Sequence, residues 1–362
     1  MILSDLPKYS KLIVLFGLFA GLPMPLFSTE RESRVSNTCF CLYKSPDFDP
    51  VNFKTGTINF YDRDGDLAKE AIPGFKLVKF ADSRFGRAFI LPIVKSRPVA
   101  NLVGWYKKTR FSLPKNIKTY AKKNNIELAD FKPPAGQRDY FSFNDFFTRE
   151  LSAQGLRKRS FTKDKNQFSS PADSKLFVLE SVGNCDDFWV KESSFNLKSF
   201  LADSALAEEF KDGMVLIFRL APSDYHRFHA PVDLKVEEIV ELSGTLESVN
   251  PVSYAIGREP LKNKRVIVRC QNKKFGNFVI APIGAMAIGK IVLEDSIKEA
   301  AETGQKIKAG QKMGYFEFGG SSILVLVKKN ALSVDQNFLD HSKNGLETRV
   351  LTGDSIGRGP SN

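Results

Sequence analysis

The sequence contains few of the residues from which metal centres and disulfide frameworks are built. Its 362 residues include only four cysteines and three histidines. The cysteines form no C-x-x-C pair and do not cluster with histidine, which excludes the common structural zinc motifs and argues against a disulfide scaffold. Zinc-finger, RNA-recognition and other nucleic-acid-binding signatures are also absent. We therefore predict a protein that has no metal site and no nucleic-acid partner.

The hydrophobic run near the N-terminus is too short to cross a bilayer as a helix. Residues 12–22 provide eleven apolar positions, whereas a spanning helix needs roughly 20. Lys8 and Lys11 precede the run, which suits either the core of a signal peptide or a short membrane-inserted anchor. We assign residues 1–28 to a hydrophobic signal or anchor segment, and residues 29–82 to a poorly defined N-terminal extension.

Acidic residues are almost absent between positions 83 and 127. This stretch has eleven lysines and arginines but a single glutamate, so it carries +10 of the net charge of +12. A localised positive field points to an anionic partner, and the missing nucleic-acid signatures favour lipid headgroups. Trp105 and Tyr106 lie beside two lysines, as in helices that rest on anionic lipid. We interpret residues 83–160 as a basic, helical, membrane-associating region; a solvated helix face over a core is the alternative.

Short β-type runs separated by Gly, Pro, Asp and Asn dominate the chain after Phe168. The predicted strands are residues 175–179, 214–220, 234–242, 266–270, 278–281 and 287–293. Residues 306–314 and 349–357 also form a faint repeat, each read as a strand, a tight glycine turn and another strand, as in the barrel-sandwich of lipoyl-type carriers. The predicted fold class is α+β: a compact, mostly antiparallel, barrel-sandwich-like catalytic domain over residues 161–362, preceded by membrane-associating helices.

A glycine pair interrupts two β-type runs at residues 318–322, which read Phe-Gly-Gly-Ser-Ser. Glycine tolerates positive φ and close approach to the backbone, as a strained peptide bond requires. If a base removed the proton of Ser321, its hydroxyl could attack the preceding carbonyl and convert the amide into an ester. β-Elimination and hydrolysis would then split the chain and leave a pyruvoyl group. A glycine-rich hairpin turn is the alternative interpretation of this pentapeptide.

Two of the three histidines lie close together at His226 and His229. Pro222 and Pro231 bracket this segment and predict a turn or a short irregular loop. Histidine handles protons near neutral pH, although both side chains could instead be structural. Asp173 precedes the first β-type run, where it could cap a turn or orient a histidine.

In the order Asp173, His229, Ser321 these residues could form a triad in which the aspartate orients the histidine and the histidine deprotonates the serine. An ordinary serine hydrolase is one outcome of such a triad. However, Ser321 does not lie in the G-x-S-x-G setting of a nucleophile elbow. The preceding glycines and the flanking β-type runs suit attack on its own backbone better.

Taken together, these motifs resemble the phosphatidylserine decarboxylase family. The resemblance extends in the family's order over about residues 85–362 and rests on residues 143–151, 170–176, 224–231, 248–251, 284–290, 318–322 and 344–348. Two features depart from it: Ala281-Pro282 stands where an acidic residue is expected, and residues 107–123 are unusually basic. The first 80 residues are poorly covered.

The resemblance implies a role for each candidate residue. The bond between Gly320 and Ser321 would break, and Ser321 would become the covalent pyruvoyl cofactor. Asp173 and His229 match the acid and base of self-cleavage, and His226 matches the residue tied to decarboxylation. The small product, residues 321–362, would stay woven into the fold.

The resemblance also implies the substrate and its setting. Phosphatidylserine in an anionic membrane would be converted to phosphatidylethanolamine and carbon dioxide. The enzyme would be membrane-associated, at the inner membrane if the source is bacterial, and relatives suggest a homodimer. A pyruvoyl-dependent decarboxylase of a free amino acid and a non-catalytic membrane-binding relative are the alternatives.

Overall fold

The computed structural model describes residues 51–52, 55–72, 97–113, 117–181, 197–245, 247, 249, 260–284, 290–319 and 321–360. The predicted signal or anchor segment, residues 83–96 of the basic region and Gly320 lie outside these ranges. Residues 248, 250, 251 and 285–289, which belong to two of the motifs, also lie outside them.

The described residues form eight α-helices, numbered here in chain order. They are α1 (Arg97–Lys107), α2 (Ile117–Lys123), α3 (Phe143–Phe147), α4 (Ala153–Lys158), α5 (Leu197–Leu201), α6 (Ser204–Phe210), α7 (Asp295–Thr303) and α8 (Gln336–Lys343). Single-turn 3₁₀ helices cover Arg110–Ser112, Leu128–Asp130 and Pro260–Lys262.

Strands account for most of the remaining regular structure. They are β1 (Val51–Asn52), β2 (Thr57–Tyr61), β3 (Leu67–Ala71), β4 (Phe131–Lys132), β5 (Glu150–Leu151), β6 (Gln167–Ser169), β7 (Ser174–Leu179), β8 (Met214–Leu220), β9 (Arg227–His229), β10 (Leu234–Leu242), β11 (Arg265–Asn272), β12 (Gly276–Gly284), β13 (Ile291–Leu293), β14 (Lys306–Ile307), β15 (Lys312–Phe316), β16 (Ser321–Val327), β17 (Ser333–Val334), β18 (Glu347–Val350) and β19 (Ser355–Arg358).

One large sheet organises the fold. It has 11 strands, in the order β1-β2-β18-β7-β8-β16-β12-β11-β10-β14, with β3 paired to β2. Its pairs are antiparallel except that of β18 with β2. Smaller sheets join β13, β15 and β9, then β17, β19 and β6, and finally β4 and β5. The structure therefore confirms the α+β class and the large, mostly antiparallel sheet.

Strand β16 lies inside this sheet and is buried along its whole length. Because successive side chains of a strand point to opposite faces, its residues divide between two cores. Ile323, Val325 and Val327 join one hydrophobic cluster, and Leu324 and Leu326 join another. Ser321 begins the strand on the face of the first cluster.

The predicted strands agree closely with the observed ones, with one error. β8 and β10 have the predicted bounds, whereas β7, β11 and β12 extend beyond them. Of the strand predicted at 287–293, β13 covers Ile291–Leu293, and residues 287–289 lie outside the described ranges. The turn predicted between Pro222 and Pro231 is present at residues 221–224, but the prediction missed that Arg227–His229 form β9 and pair with β15. Both prolines fall outside the paired residues, so neither removes a hydrogen bond from the ladder.

The faint repeat corresponds to two similar strand–turn–strand units, in which the two strands pair with other strands and not with each other. β14 and β15 flank Gly310, and β18 and β19 flank Gly353. Both glycines have positive φ, 79° and 89°, which side-chain-bearing residues rarely adopt. The predicted pattern of strand, glycine turn and strand is therefore confirmed for both units.

The structure shows two features in the N-terminal part of the described chain that the sequence analysis did not predict. Residues 51–72, assigned above to the extension, supply β1, β2 and β3 of the main sheet. In the basic region, α1 contains Pro98 in its first turn, where a missing backbone N–H costs no helical hydrogen bond. None of the helices in the described residues is both long and apolar enough to cross a membrane.

Candidate active site

Ser321 lies at the start of β16, where the chain leaves the glycine pair. Its Cα is paired with Leu220 of β8 on one side and with Gly284 of β12 on the other. The residue is fully buried. Gly319 has a φ of 150°, which a residue with a Cβ rarely adopts. The backbone before Ser321 therefore has a conformation that requires glycine at position 319.

His226 contacts the hydroxyl of Ser321. Its Nδ1 lies 3.3 Å from Ser321 Oγ, and its Nε2 lies 2.9 Å from the carbonyl oxygen of Ala221. Because a carbonyl can only accept, Nε2 carries the proton, and the hydroxyl then donates to the lone pair on Nδ1. Burial, followed by the charge of Arg149, lowers the pKa of His226 well below 6.5. The imidazole is therefore neutral and oriented as a proton acceptor.

Helix α3 contacts both His226 and the segment before Ser321. It begins at a capping box formed by Ser142 and Asp145, where the serine and the aromatic residues that follow it in the sequence predict a short capped helix. The ring of Phe147 stacks on His226 with centroids 3.7 Å apart. Asn144 Oδ1 accepts the backbone N–H of Phe318 at 2.9 Å. The sequence indicated this helix but no functional role for Asn144 or Phe147.

Replacing Asn144 with alanine should slow self-cleavage without changing the activity of chains that have already been cut. The substitution removes the only described side-chain hydrogen bond to residues 318–319, and one such bond contributes about 1 kcal/mol, or roughly fivefold in rate. A time course of chain splitting measures the effect. Asn144→Asp keeps an acceptor near a helix N-terminus and should restore the rate; equal rates for Asn144→Ala and the wild type would exclude this role.

Arg149 supports the loop that precedes His226. Its side chain is 1% exposed and donates to the carbonyl oxygens of Phe146, Ser223 and Asp224. Its guanidinium also lies over the rings of Phe131 and Phe146. The sequence offered one signal for Arg149, namely its position inside the aromatic run of residues 143–151. A buried arginine needs hydrogen-bond acceptors such as these carbonyl oxygens.

His229 and Asp173 lie in a neighbouring buried environment with partners of their own. His229 Nδ1 donates to the carbonyl oxygen of Gly310 at 2.9 Å, and its Nε2 lies 3.2 Å from the hydroxyl of Tyr225. Burial lowers the pKa of His229 to about 4, against opposing contributions from the Gly310 hydrogen bond and the charge of Asp173. Both predicted residues are therefore buried, but neither is hydrogen-bonded to Ser321 in the described structure.

Asp173 is held by an ion pair and by the backbone. Arg159 donates to both carboxylate oxygens at 2.7–2.9 Å, and Thr352 donates to Oδ1 through its backbone N–H and its hydroxyl, each at 3.0 Å. Arg159, which the sequence analysis missed, also contacts Asp130 at 3.3 Å. The structure thus brings His226 to Ser321, whereas the roles assigned to Asp173 and His229 stay predictions.

The basic helix α1 reaches the segment that leads to Ser321. Lys108 pairs with Glu317 at 2.8 Å, and Lys290 pairs with the same carboxylate at 3.3 Å. Lys107 Nζ lies 4.6 Å from the ring centroids of both Phe143 and Phe318. The helical region and the glycine-serine segment are therefore in direct contact.

A fully buried serine hydroxyl can react with groups of its own chain more readily than with an external substrate. Ser321 combines this burial with a preceding glycine of unusual φ and a histidine proton acceptor. The site therefore favours the class of enzyme precursors that process themselves over a serine hydrolase, whose nucleophile must meet its substrate.

Comparison with known proteins identifies the family. The family model described as phosphatidylserine decarboxylase matches residues 143–358, and this chain belongs to that family. It is 34% identical to the phosphatidylserine decarboxylase proenzyme of Fusobacterium nucleatum over 297 residues, which cover 81% of this chain and 94% of the relative. The proenzyme of Clostridium tetani is 33% identical over 305 residues, covering 83% and 98%. Phosphatidylserine decarboxylase proenzyme 2 of Komagataella phaffii is 37% identical over 226 residues, covering 61% and 22%.

Proposed function

We propose that this chain is a precursor that cuts itself between Gly320 and Ser321 and then converts phosphatidylserine to phosphatidylethanolamine and carbon dioxide. The observation that carries the proposal is the 3.3 Å contact between His226 Nδ1 and the buried hydroxyl of Ser321. Membership of the phosphatidylserine decarboxylase family supports the choice of substrate.

The proposed self-cleavage needs no oxidant or reductant. Ser321 Oγ loses its proton and attacks the carbonyl carbon of Gly320, and the C–N bond breaks so that the amide becomes an ester. β-Elimination then releases Gly320 as a carboxylate and leaves a dehydroalanine at position 321. One water molecule adds, ammonia leaves, and a pyruvoyl group remains at the start of the 42-residue fragment formed by residues 321–362.

The residues around position 321 fit a pyruvoyl group. A carbonyl at this position would have beside it the neutral imidazole of His226, whose Nε2–H donates to the carbonyl oxygen of Ala221. When bound to the substrate amine, the pyruvoyl group supplies an electron sink for the bond that breaks when carbon dioxide leaves. Nδ1 of His226 accepts a proton at this position. His226 would then pass that proton to the product carbon.

We propose self-cleavage roles for His229 and Asp173 because these residues match the base and acid of the family's motifs. A base carries a positive charge when it has accepted a proton, and an aspartate stabilises that charge. The charge of Asp173 favours protonation of His229, although those of Lys312 and Arg227 oppose it. For His226, the charges of Arg149 and Lys175 both oppose protonation. The assignment requires a movement that brings His229 to Ser321. His226 is the second candidate for the base that removes the proton of Ser321, and its direct contact with Ser321 favours it.

Membrane association is part of the proposal, because the substrate is a lipid. The basic region of residues 83–160 would hold the enzyme against an anionic leaflet. The bacterial inner membrane, which the resemblance implies for a bacterial source, is kept as the proposed location. We also propose the homodimer that the resemblance implies.

The substrate proposal can be tested by offering the cleaved protein phosphatidylserine in vesicles and free serine in solution. We expect carbon dioxide release from the vesicles and none above background from free serine. Release from free serine alone would replace the lipid substrate by an amino acid. A cleaved protein that releases carbon dioxide from neither would support the non-catalytic alternative.

A further inference from the structure

A groove rich in lysine lies beside the candidate active site. It has a volume of about 1130 Å³ and is lined by residues of four separate segments, 161–169, 231–235, 271–276 and 306–309. Seven lysines and two aspartates line it, an excess of five positive charges. Since the segments are far apart in sequence, the fold itself gathers these charges at one edge of the main sheet.

Four of the lysines form no ion pair with a described carboxylate. Lys163, Lys165, Lys273 and Lys306 are exposed, and no carboxylate of the described residues lies within 4.0 Å of them. The two aspartates are already occupied. Asp164 pairs with Arg358 at 3.0 Å, and Asp233 pairs with Lys308 at 3.3 Å. The groove therefore presents a positive surface to solvent.

The floor of the groove is apolar and adjoins the histidine site. Pro231, Val232 and Leu234 contribute to the floor, and Phe161 lines one end. The ring centroid of Phe161 lies 6.2 Å from that of His229. A partner bound in the groove would therefore lie one aromatic ring away from His229.

We propose that this lysine groove docks on an anionic lipid bilayer, as a second contact in addition to the basic region. The groove uses lysine rather than arginine in its lining, and flexible, strongly hydrated ammonium groups suit diffuse attraction to a charged surface better than bidentate recognition of one phosphate. The link between this docking and catalysis rests on the proposed function, because a lipid substrate has to reach the enzyme from the surface on which the enzyme lies.

Vesicle binding by an uncut protein tests the groove separately from catalysis. The full chain carrying Ser321→Ala is compared with the same chain carrying Lys163→Gln, Lys165→Gln, Lys273→Gln and Lys306→Gln. Co-sedimentation is measured with vesicles of phosphatidylcholine alone and with vesicles containing 30% phosphatidylglycerol, about a physiological share of anionic lipid. Each lysine near such a surface contributes about fivefold in affinity, so we expect the fourfold variant to bind the anionic vesicles roughly 100-fold or more weakly.

A control with the same change in net charge isolates the groove. Lys198, Lys211, Lys298 and Lys329 are exposed and lie outside the groove. Their joint replacement by glutamine should weaken binding by much less than the groove variant, and thermal melting checks that both proteins are folded. Equal weakening by the two variants, or unchanged binding of the groove variant, would overturn the proposal. Loss of binding that appears equally with uncharged vesicles would also overturn it. Because the protein is uncut throughout, none of these outcomes depends on pyruvoyl formation.

Discussion

Replacing Ser321 with alanine is expected to leave one intact chain where the wild type gives two. Alanine removes the hydroxyl that contacts His226, so the amide before position 321 loses the proposed nucleophile. The wild type should yield a fragment of 42 residues that begins at position 321. Intact mass spectrometry measures the masses, and the small fragment should resist Edman sequencing but react with hydrazine. Decarboxylation of phosphatidylserine should fall to background in the variant.

Ser322 offers a matched control for this experiment. Ser322 is also buried, and its Cα is paired with Arg219 of β8. Because it is the next residue of β16, its side chain points to the opposite face of the sheet from that of Ser321. Ser322→Ala should still split and should retain decarboxylation. An intact wild-type chain would contradict self-processing, and splitting of Ser321→Ala at the same bond would show that another group is the nucleophile.

The second large effect concerns the two histidines, which we expect to fail at different steps. His229→Ala should remain uncut, because the proposed base for Ser321 is lost. His226→Ala should still split, but its decarboxylation should fall by about 10²- to 10⁴-fold, the usual contribution of a proton-handling side chain. Mass spectrometry reports splitting, and carbon dioxide release per mole of hydrazine-reactive carbonyl reports the second step.

His341 serves as the control histidine in this comparison. It lies in α8, stacks on Tyr61 and bonds to the hydroxyl of Thr348, so its replacement should leave both steps intact. If His226→Ala is the variant that stays uncut while His229→Ala splits, the direct contact seen in the structure identifies the base. The assignment of His229 and Asp173 to self-cleavage would then be wrong.

Local sequence patterns predicted most of the sheet because its strands are continuous apolar runs ended by turn residues. β8 reads Met-Val-Leu-Ile-Phe-Arg-Leu between a glycine and an alanine-proline pair, so its bounds follow from composition alone. The segment between Pro222 and Pro231 was less predictable, because its prolines indicate a loop. Residues 227–229 form a strand because they pair with β15, more than 80 residues away.

The partners of the candidate residues were less predictable than the residues themselves. The motifs pointed to Asp173, His226, His229 and Ser321, but not to their hydrogen bonds. Asp173 meets Thr352 only because the loop before β7 packs against the turn before β19. Contacts of this kind depend on how distant segments pack, which no periodicity within one segment encodes.

The position of β16 has a consequence for how such a protein can be made. If the chain is cut before Ser321, the 42-residue piece still provides β16, β18 and β19, which pair with β8, β12, β7 and β6 of the larger piece. The two pieces together complete the core, so folding has to precede cutting. Once denatured, the cut protein must reassemble from two molecules, and its recovery becomes concentration-dependent. Maturation would thus turn a unimolecular folding reaction into a bimolecular one, and a mature enzyme that unfolds would be far harder to restore than its precursor.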